Sequence, residues 1–370
     1  MKVLHLLSGG GIGGIEMLCR DIADLGQDQN EFCFLFAGGK IADEMKQKNH
    51  PVYFFYKDNL YARISKVFRL VNREKYDVII VHHEGIGIYV FYLMLLYYFK
   101  KIKFVKYLHC AFEEKYFYQG NKVRDALNYM VLRRTLMKSH CIAAVSEFVK
   151  QSYCREFACG EDKVKVIYNG IRLQRNAGKT DKMQMEGIPV RLLYIGRLIE
   201  VKGIHILLNA MKKLIAQGKN VELDILGDGP MRLEYEQLSK ELEIEEKVHF
   251  HGYVMDKQMF YENAMIFVYP SVWQEAFGIS IIEALAHGLI CVASDVGGIP
   301  EIIGDGEDGF LVESNDSDKL AEALSKAIEC TKSPIYGIMC DKAIQKSWKF
   351  EINKTINELQ GLCKELAETI

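Results

Sequence analysis

An α/β protein built as two doubly wound, parallel-sheet domains is what the sequence predicts, and three observations predict it. Short apolar runs alternate with helix-like stretches along almost the whole chain. Most of these runs lack polar alternation, the pattern of strands covered on both faces, as in a parallel sheet. The length of 370 residues exceeds what one hydrophobic core usually serves, and a polar, aperiodic stretch interrupts the series near its middle.

The first series consists of "KVLHLLS" (2–8), "EFCFLFAG" (31–38), "VYFFY" (52–56), "DVIIVHH" (77–83), "KFVKYLH" (103–109), "CIAAVS" (141–146) and "KVKVIYNG" (163–170). Helical stretches such as "ARISKVFRLVNRE" (62–74) separate them, which makes residues 1–171 one Rossmann-like domain. The linker is 172–189, polar and glycine-containing. The second series is "VRLLYIG" (190–196), "VELDILG" (221–227), "VHFHGYV" (248–254), "MIFVYP" (265–270), "ICVAS" (290–294) and "GFLVE" (309–313). It forms a second Rossmann-like domain over 190–348. The tail, about 349–370, has helical periodicity and is expected to pack back on the first domain.

Composition narrows the function classes. A hydrophobic content of 49% and a charged content of 26% fit a soluble globular protein. The opening "MKVLHLLSGGGIGG" has one lysine and a short apolar run, and reads as a first strand rather than a secretory signal. The ten cysteines are scattered with no C-x-x-C pair, and the nearest two, Cys154 and Cys159, lack metal-ligand spacing. A reduced, cytoplasmic setting is therefore expected. Residues 1–170 carry a net charge of +7 and the remainder −9. The excess concentrates in 100–138, where ten basic residues, among them Lys100, Lys101, Lys103, Lys106 and Lys115, face three acids. Just before lies "IGIYVFYLMLLYYF" (86–99), too short to span a bilayer. It reads either as a buried helix or as a helix whose aromatic flank and basic neighbours rest on an anionic membrane surface. No nucleic-acid partner is expected.

Three loops look built for phosphate. "SGGGIGGIE" (8–16) joins the first strand to the first helix; its glycines let backbone amides approach a ligand at a helix N-terminus. Gly9, Gly11 and Gly14 match the dinucleotide spacing, but the loop has extra glycines and the second strand ends "FAGGK" without an acid, so NAD binding is disfavoured. In "YIGRLIEVKGIHILL" (194–208), Arg197 and Lys202 precede a helix and suit a diphosphate clamp. In "IFVYPSVWQEAFGISIIEALAHG" (266–288), Glu275 lies in a loop, Phe277, Gly278 and Ile279 open a helix, and Glu283 sits just over one turn inside it. Carboxylates accept from hydroxyl pairs and suit sugar or ribose. "ASDVGGIPEII" (293–303) adds a glycine turn and Glu301 at a further strand end.

With these motifs in this order, the chain resembles a family-4 glycosyltransferase of the GT-B fold, in which two Rossmann-like domains face a cleft. The resemblance runs through "GGIE" (13–16), "VSEFVK" (145–150), "VIYNGI" (166–171), "YIGRLIEVKG" (194–203), "ILGDGP" (225–230), "FHGYV" (250–254), "SVWQEAFGISIIEALAHG" (271–288) and "GGIPEII" (297–303). It implies a retaining enzyme that takes a sugar from a nucleotide-diphosphate donor, a UDP-sugar, to a glycan or lipid-linked saccharide acceptor, as in bacterial surface or capsular polysaccharide synthesis.

The roles implied are as follows. Arg197 and Lys202 hold the diphosphate, and Glu283 holds the ribose hydroxyls. Tyr253 and Val254 border the base. Glu275 orients the transferred sugar beside the amides of Phe277, Gly278 and Ile279. Gly13 and Gly14 approach donor phosphate and acceptor from the other domain. His109, ending "VKYLHC", is the active-site histidine, although a strand-end core histidine is the plain alternative. His82 and His83 are less secure: one reads as packing and neither as a metal ligand. No D-x-D-type pair stands at a strand end, so no essential metal or other cofactor is expected. The resemblance implies front-face attack, with the departing phosphate taking the acceptor's proton. A nucleotide-sugar epimerase of similar fold and a non-catalytic glycan- or nucleotide-binding protein are the rival readings.

Overall fold

A computed structural model describes residues 1–113, 120–173 and 187–368. Lys115 and most of the expected linker, 174–186, lie outside the described residues. The chain divides into two compact units, one of residues 1–170 with 352–370, the other of residues 171–351.

The first unit runs β1 (Lys2–Leu7), α1 (Gly14–Leu25), β2 (Gln29–Phe34), α2 (Lys40–Gln47), β3 (Val52–Phe54), α3 (Leu60–Glu74), β4 (Val78–Val81), α4 (Ile86–Tyr98), β5 (Lys103–Leu108), α5 (Lys122–Lys138), β6 (Cys141–Ala144), α6 (Glu147–Phe157) and β7 (Val164–Val166). Its sheet has the order β3-β2-β1-β4-β5-β6-β7, with every pair parallel. The second unit runs β8 (Val190–Ile195), α7 (Ile204–Ala216), β9 (Val221–Leu226), α8 (Arg232–Glu241), β10 (Val248–Gly252), α9 (Gln258–Asn263), β11 (Ile266–Tyr269), α10 (Ile279–Ala286), β12 (Ile290–Ser294), β13 (Gly309–Val312), α11 (Ser317–Cys330) and α12 (Ile335–Ser347). Its sheet has the order β10-β9-β8-β11-β12-β13, again all parallel. A final helix, α13 (Ile352–Glu368), belongs to the first unit and is tied there by the Thr355 hydroxyl, which donates to the Tyr168 carbonyl at 2.8 Å.

Each apolar run of the sequence contains one strand, and the central strands are buried along almost their whole length. Burying Val, Ile, Leu and Phe on both faces of the sheets drives the two folds. Helix starts are fixed locally: Asn59 accepts from the Ala62 amide at 2.9 Å, and Ser146 from the Val149 amide at 3.1 Å.

In both sheets the winding reverses, between β1 and β4 in one and between β8 and β11 in the other. Open α/β sheets bind ligands outside the carboxyl ends of the strands at such reversals. The glycine loop follows β1 and the Glu275 loop follows β11, so both stand at reversal points.

Two expectations change. The run "DVIIVHH" leaves the ladder after Val81, because the Lys106 ammonium takes the carbonyls of Val81, His82 and His83. Lys106 is therefore no part of a basic surface: it is 0% exposed, in mid-strand β5. The segment 86–99 is a helix with one buried face and one exposed face, so it is not buried throughout. Ile88, Tyr89, Phe91, Tyr92 and Leu95 of α4 are buried, whereas Val90, Met94, Tyr97 and Tyr98 are exposed.

Candidate active site

In the second unit, β11 delivers the chain to Pro270, and the loop 271–278 carries it to the Gly278 cap of α10. Glu275 lies in this loop and Glu283 inside α10. Lys202 ends a short helical turn (Glu200–Lys202) after β8. Its ammonium donates to Glu275 Oε1 at 2.6 Å and to the Tyr269 hydroxyl at 2.9 Å. The Ser271 hydroxyl donates to the same carboxylate oxygen at 2.5 Å. Both charged side chains of the Lys202–Glu275 pair are only 12% exposed, so this is a partly desolvated ion pair. Burial, and then the Glu275 charge, push the Tyr269 phenol well above its ordinary pKa, so it stays a neutral donor.

The loop is braced from the next strand end. The Gly298 amide donates to the Glu275 carbonyl at 2.7 Å, and the Gly297 amide to Gln274 Oε1 at 3.0 Å. Gly297 has φ +60°, and a Cβ there would lie 2.1 Å from the Glu275 carbonyl oxygen, so only glycine lets the two segments meet. This is the physical role of the glycine turn in "GGIPEII".

Glu283 is held separately. Its Oε2 accepts from the Lys257 ammonium and from the Tyr261 hydroxyl, the latter at 2.7 Å. Tyr261 stacks on His287 at 4.4 Å with 9° between the rings, and His287 Nδ1 lies 2.8 Å from the Glu283 carbonyl. Each glutamate thus has its own lysine, which orients it. Arg197 is exposed, as is Tyr253, while Val254 is half-buried. The Phe277 ring is buried against Phe350 at 5.4 Å, which leaves its backbone, beside Gly278 and Ile279, as the part that can serve a ligand.

In the first unit the glycine loop runs from Ser8 to Gly13, the uncapped N-terminal residue before Gly14 and α1. His83 ties its two ends: Nδ1 accepts from the Ser8 amide and Nε2 donates to Glu16 Oε1, both at 3.2 Å. Gly13 faces the same carboxylate, since a Cβ there would lie 2.6 Å from Glu16 Oε2.

His109 follows β5 and is buried. Its amide donates to Glu84 Oε1 at 2.8 Å, and its Nε2 lies 3.1 Å from His82 Nδ1. His82 Nε2 lies 2.9 Å from His5 Nδ1, and His5 Nε2 lies 3.1 Å from Asn30 Oδ1. Burial pushes the pKa of His5 down to about 4 and holds His82 and His109 well below the ordinary histidine value. His5, His82 and Cys19 offer three buried donor atoms within 4.8 Å of one another. The 2.9 Å between the two nitrogens suits a hydrogen bond; two nitrogens on a tetrahedral zinc would stand roughly 3.3 Å apart, given Zn–N bonds near 2.0–2.1 Å.

Beneath this cluster, the Lys106 ammonium donates to the carbonyls of His82 (2.6 Å), His83 (2.9 Å), Tyr107 (2.9 Å) and Val81 (3.3 Å), with Glu84 at 3.8 Å. Burial pulls its pKa down to about 8, which still leaves it charged at pH 7.

The structure therefore brings Lys202 and Glu275 into contact, and places Glu283 on the adjoining helix with different partners. Sequence reasoning missed His5, Glu84, Ser271, Lys257 and Tyr261. His5 and Lys106 did carry a signal: each is a polar residue inside a strand buried on both faces.

The sequence matches the family described as Glycosyltransferase Family 4 over residues 12–175 and that described as Glycosyl transferases group 1 over residues 181–346. It is 28% identical over 348 residues to an uncharacterized glycosyltransferase of Methanocaldococcus jannaschii, covering 86% of this chain and 85% of that one. It is 30% identical over 216 residues to the capsular polysaccharide biosynthesis glycosyltransferase CapM of Staphylococcus aureus, covering 54% and 55%. The fold matches that of Anabaena HepE, solved in complex with UDP, with a TM-score of 0.84 and 22% identity over 99% of this chain and 100% of that one.

Proposed function

Because the chain belongs to the family-4 glycosyltransferases of the GT-B fold, we propose that it moves a sugar, with retention, from a UDP-sugar to a glycan or lipid-linked saccharide in bacterial surface or capsular polysaccharide synthesis. The observation that carries this reading is the Lys202–Glu275 pair at the reversal point of the second sheet, with Glu283 beside it on α10. CapM acts in capsular polysaccharide biosynthesis, and HepE has been solved with UDP and with UDP-glucose, which supports the same chemistry here.

Charge develops on the leaving diphosphate as the glycosidic bond breaks. Lys202 and Arg197, with the amides at the start of α10, are the groups to neutralise it, a preorganised electrostatic role. Lys202 has three protons and two present partners, so it can add a phosphate oxygen without releasing Glu275. Glu283 has Oε2 occupied by Lys257 and Tyr261, and its Oε1 is the acceptor for the ribose hydroxyls. Tyr253 and Val254 border the base. Glu275 orients the transferred sugar. In the first unit, His109 and the Gly13–Gly14 loop are the residues that the family resemblance implies for sugar and phosphate.

Turnover of the matching UDP-sugar continues undiminished in EDTA, because the cations of Arg197 and Lys202 do the work of a metal. A panel of nucleotide sugars screened by thermal shift identifies that donor, since a ligand bound only by the folded chain raises its apparent stability. Complete loss of turnover in chelator, restored by Mg²⁺ or Mn²⁺, would contradict the metal-free diphosphate site.

The first unit docks on anionic membrane. No helix among the described residues is long and apolar enough to cross one. The exposed face of α4 adjoins α5, where Val123 (81% exposed), Leu127, Met130 and Met137 also face outward. Lys100, Lys101, Arg133, Arg134 and Lys138 are exposed around them, and Lys138 lies 4.6 Å from the centre of the Tyr97 ring. Each such cation contributes about 1 kcal/mol near an anionic surface, less as salt rises. The protein is expected to sediment with anionic liposomes at low salt and to be released at high salt. The Lys100→Glu, Lys101→Glu, Lys138→Glu variant is expected to stay in the supernatant. Wild-type protein left in the supernatant at low salt would rule the docking out.

A further inference from the structure

The polar chain running inward from His109 fixes a property of that residue. At its inner end, Asn30 Nδ2 donates to the Asp28 carbonyl at 3.2 Å, which sets the amide orientation and gives Oδ1 to His5 Nε2. An amide oxygen only accepts, so His5 Nε2 carries a proton. A neutral imidazole has one donor and one acceptor nitrogen, and burial keeps His5, His82 and His109 neutral at pH 7. His5 Nδ1 is then an acceptor, and His82 Nε2 must donate to it at 2.9 Å. His82 Nδ1 in turn accepts, and His109 Nε2 must donate to it at 3.1 Å. Stacking pins the rings in this order: His5 on Phe32 at 4.8 Å, His5 on His82 at 5.2 Å, and His82 on His109 at 5.3 Å.

We infer that His5 and His82 are positioning residues that hold His109 in its Nε2–H tautomer, leaving Nδ1 as an acceptor for a hydroxyl of the transferred sugar. The hydroxyl half of this assignment rests on the active-site reading of His109; the tautomer half does not. Had Asn30 been turned the other way, every proton in the chain would reverse and His109 would donate from Nδ1 instead. The Asp28 carbonyl decides between the two.

The test is the ¹⁵N spectrum of the full chain labelled at histidine, recorded at pH 7 by long-range ¹H–¹⁵N correlation. Single His→Phe variants assign the rings. The expected result is a protonated Nε2 and an unprotonated Nδ1 on His5, His82 and His109. A protonated Nδ1 on His82 or His109, or a doubly protonated ring, overturns the inference. So does a spectrum obtained only with Zn²⁺ and lost in EDTA, which would make His5, Cys19 and His82 a metal site.

His5→Phe keeps a ring against Phe32 but cannot accept from His82. It is expected to leave His109 in mixed tautomers and to lower kcat roughly tenfold at unchanged donor KM, the size of one lost hydrogen bond. Unchanged kcat with mixed tautomers would overturn the positioning role. His109→Phe separates the two halves: a wild-type rate there overturns the hydroxyl contact and the active-site reading together, while the tautomer assignment is judged by the spectrum alone.

Discussion

Replacing Lys202 or Glu283 by alanine lowers kcat/KM for the nucleotide sugar by roughly tenfold to over a hundredfold, the range for one charge-assisted hydrogen bond. Lys202→Ala removes a cation proposed to hold the diphosphate, while Glu275 Oε1 keeps the Ser271 hydroxyl. Its effect should fall on kcat as well as on donor binding, because charge on the leaving group grows in the transition state. Glu283→Ala removes the proposed acceptor for the ribose and releases Lys257 and Tyr261, so its effect should fall mainly on donor KM. Lys202 sits in a loop turn and Glu283 is partly exposed, so both variants should fold. Steady-state kinetics check this; near-wild-type constants in both variants would contradict the site.

Lys106→Met is expected to destabilise the first unit by about 3–5 kcal/mol, the cost of removing one member of a buried charged set. Methionine fills the same unbranched volume but donates nothing. Four carbonyls now bonded to the ammonium lose their donor, and Glu84 loses its nearby cation. Three of those carbonyls lie at the end of β4, so His82, His83 and Glu84 lose their anchor at the same time. For a unit of this size, that energy lowers Tm by about 6–20 °C. Scanning calorimetry measures it, and an unchanged Tm would show that the ammonium adds no net stability.

The strands were legible because burial on both faces leaves a mostly apolar run, and all thirteen runs hold a strand. The ladder ends were less so. The end of β4 is set by Lys106, which lies 25 residues away from Val81 in sequence. The same residue was misplaced for the same reason: counted along the chain it joins a basic stretch, while the sheet puts it inside. In the candidate site, Lys202, Glu275 and Glu283 were legible because each sits in a local motif of strand, loop and helix start. Their partners were not. Lys257 reaches Glu283 across 26 residues, and the Asn30–His5–His82–His109 chain draws on four different strands or strand ends. Such contacts are made by sheet order, which no spacing in the sequence records.

Proton NMR of the reaction distinguishes the proposed retaining transfer from a UDP-sugar from inversion and from epimerisation. With an α-linked UDP-sugar and a saccharide acceptor, donor is expected to disappear only when acceptor is present. UDP and a new α-anomeric signal should grow in together. A β-anomeric product, or conversion of the donor into another UDP-sugar without acceptor, would contradict it.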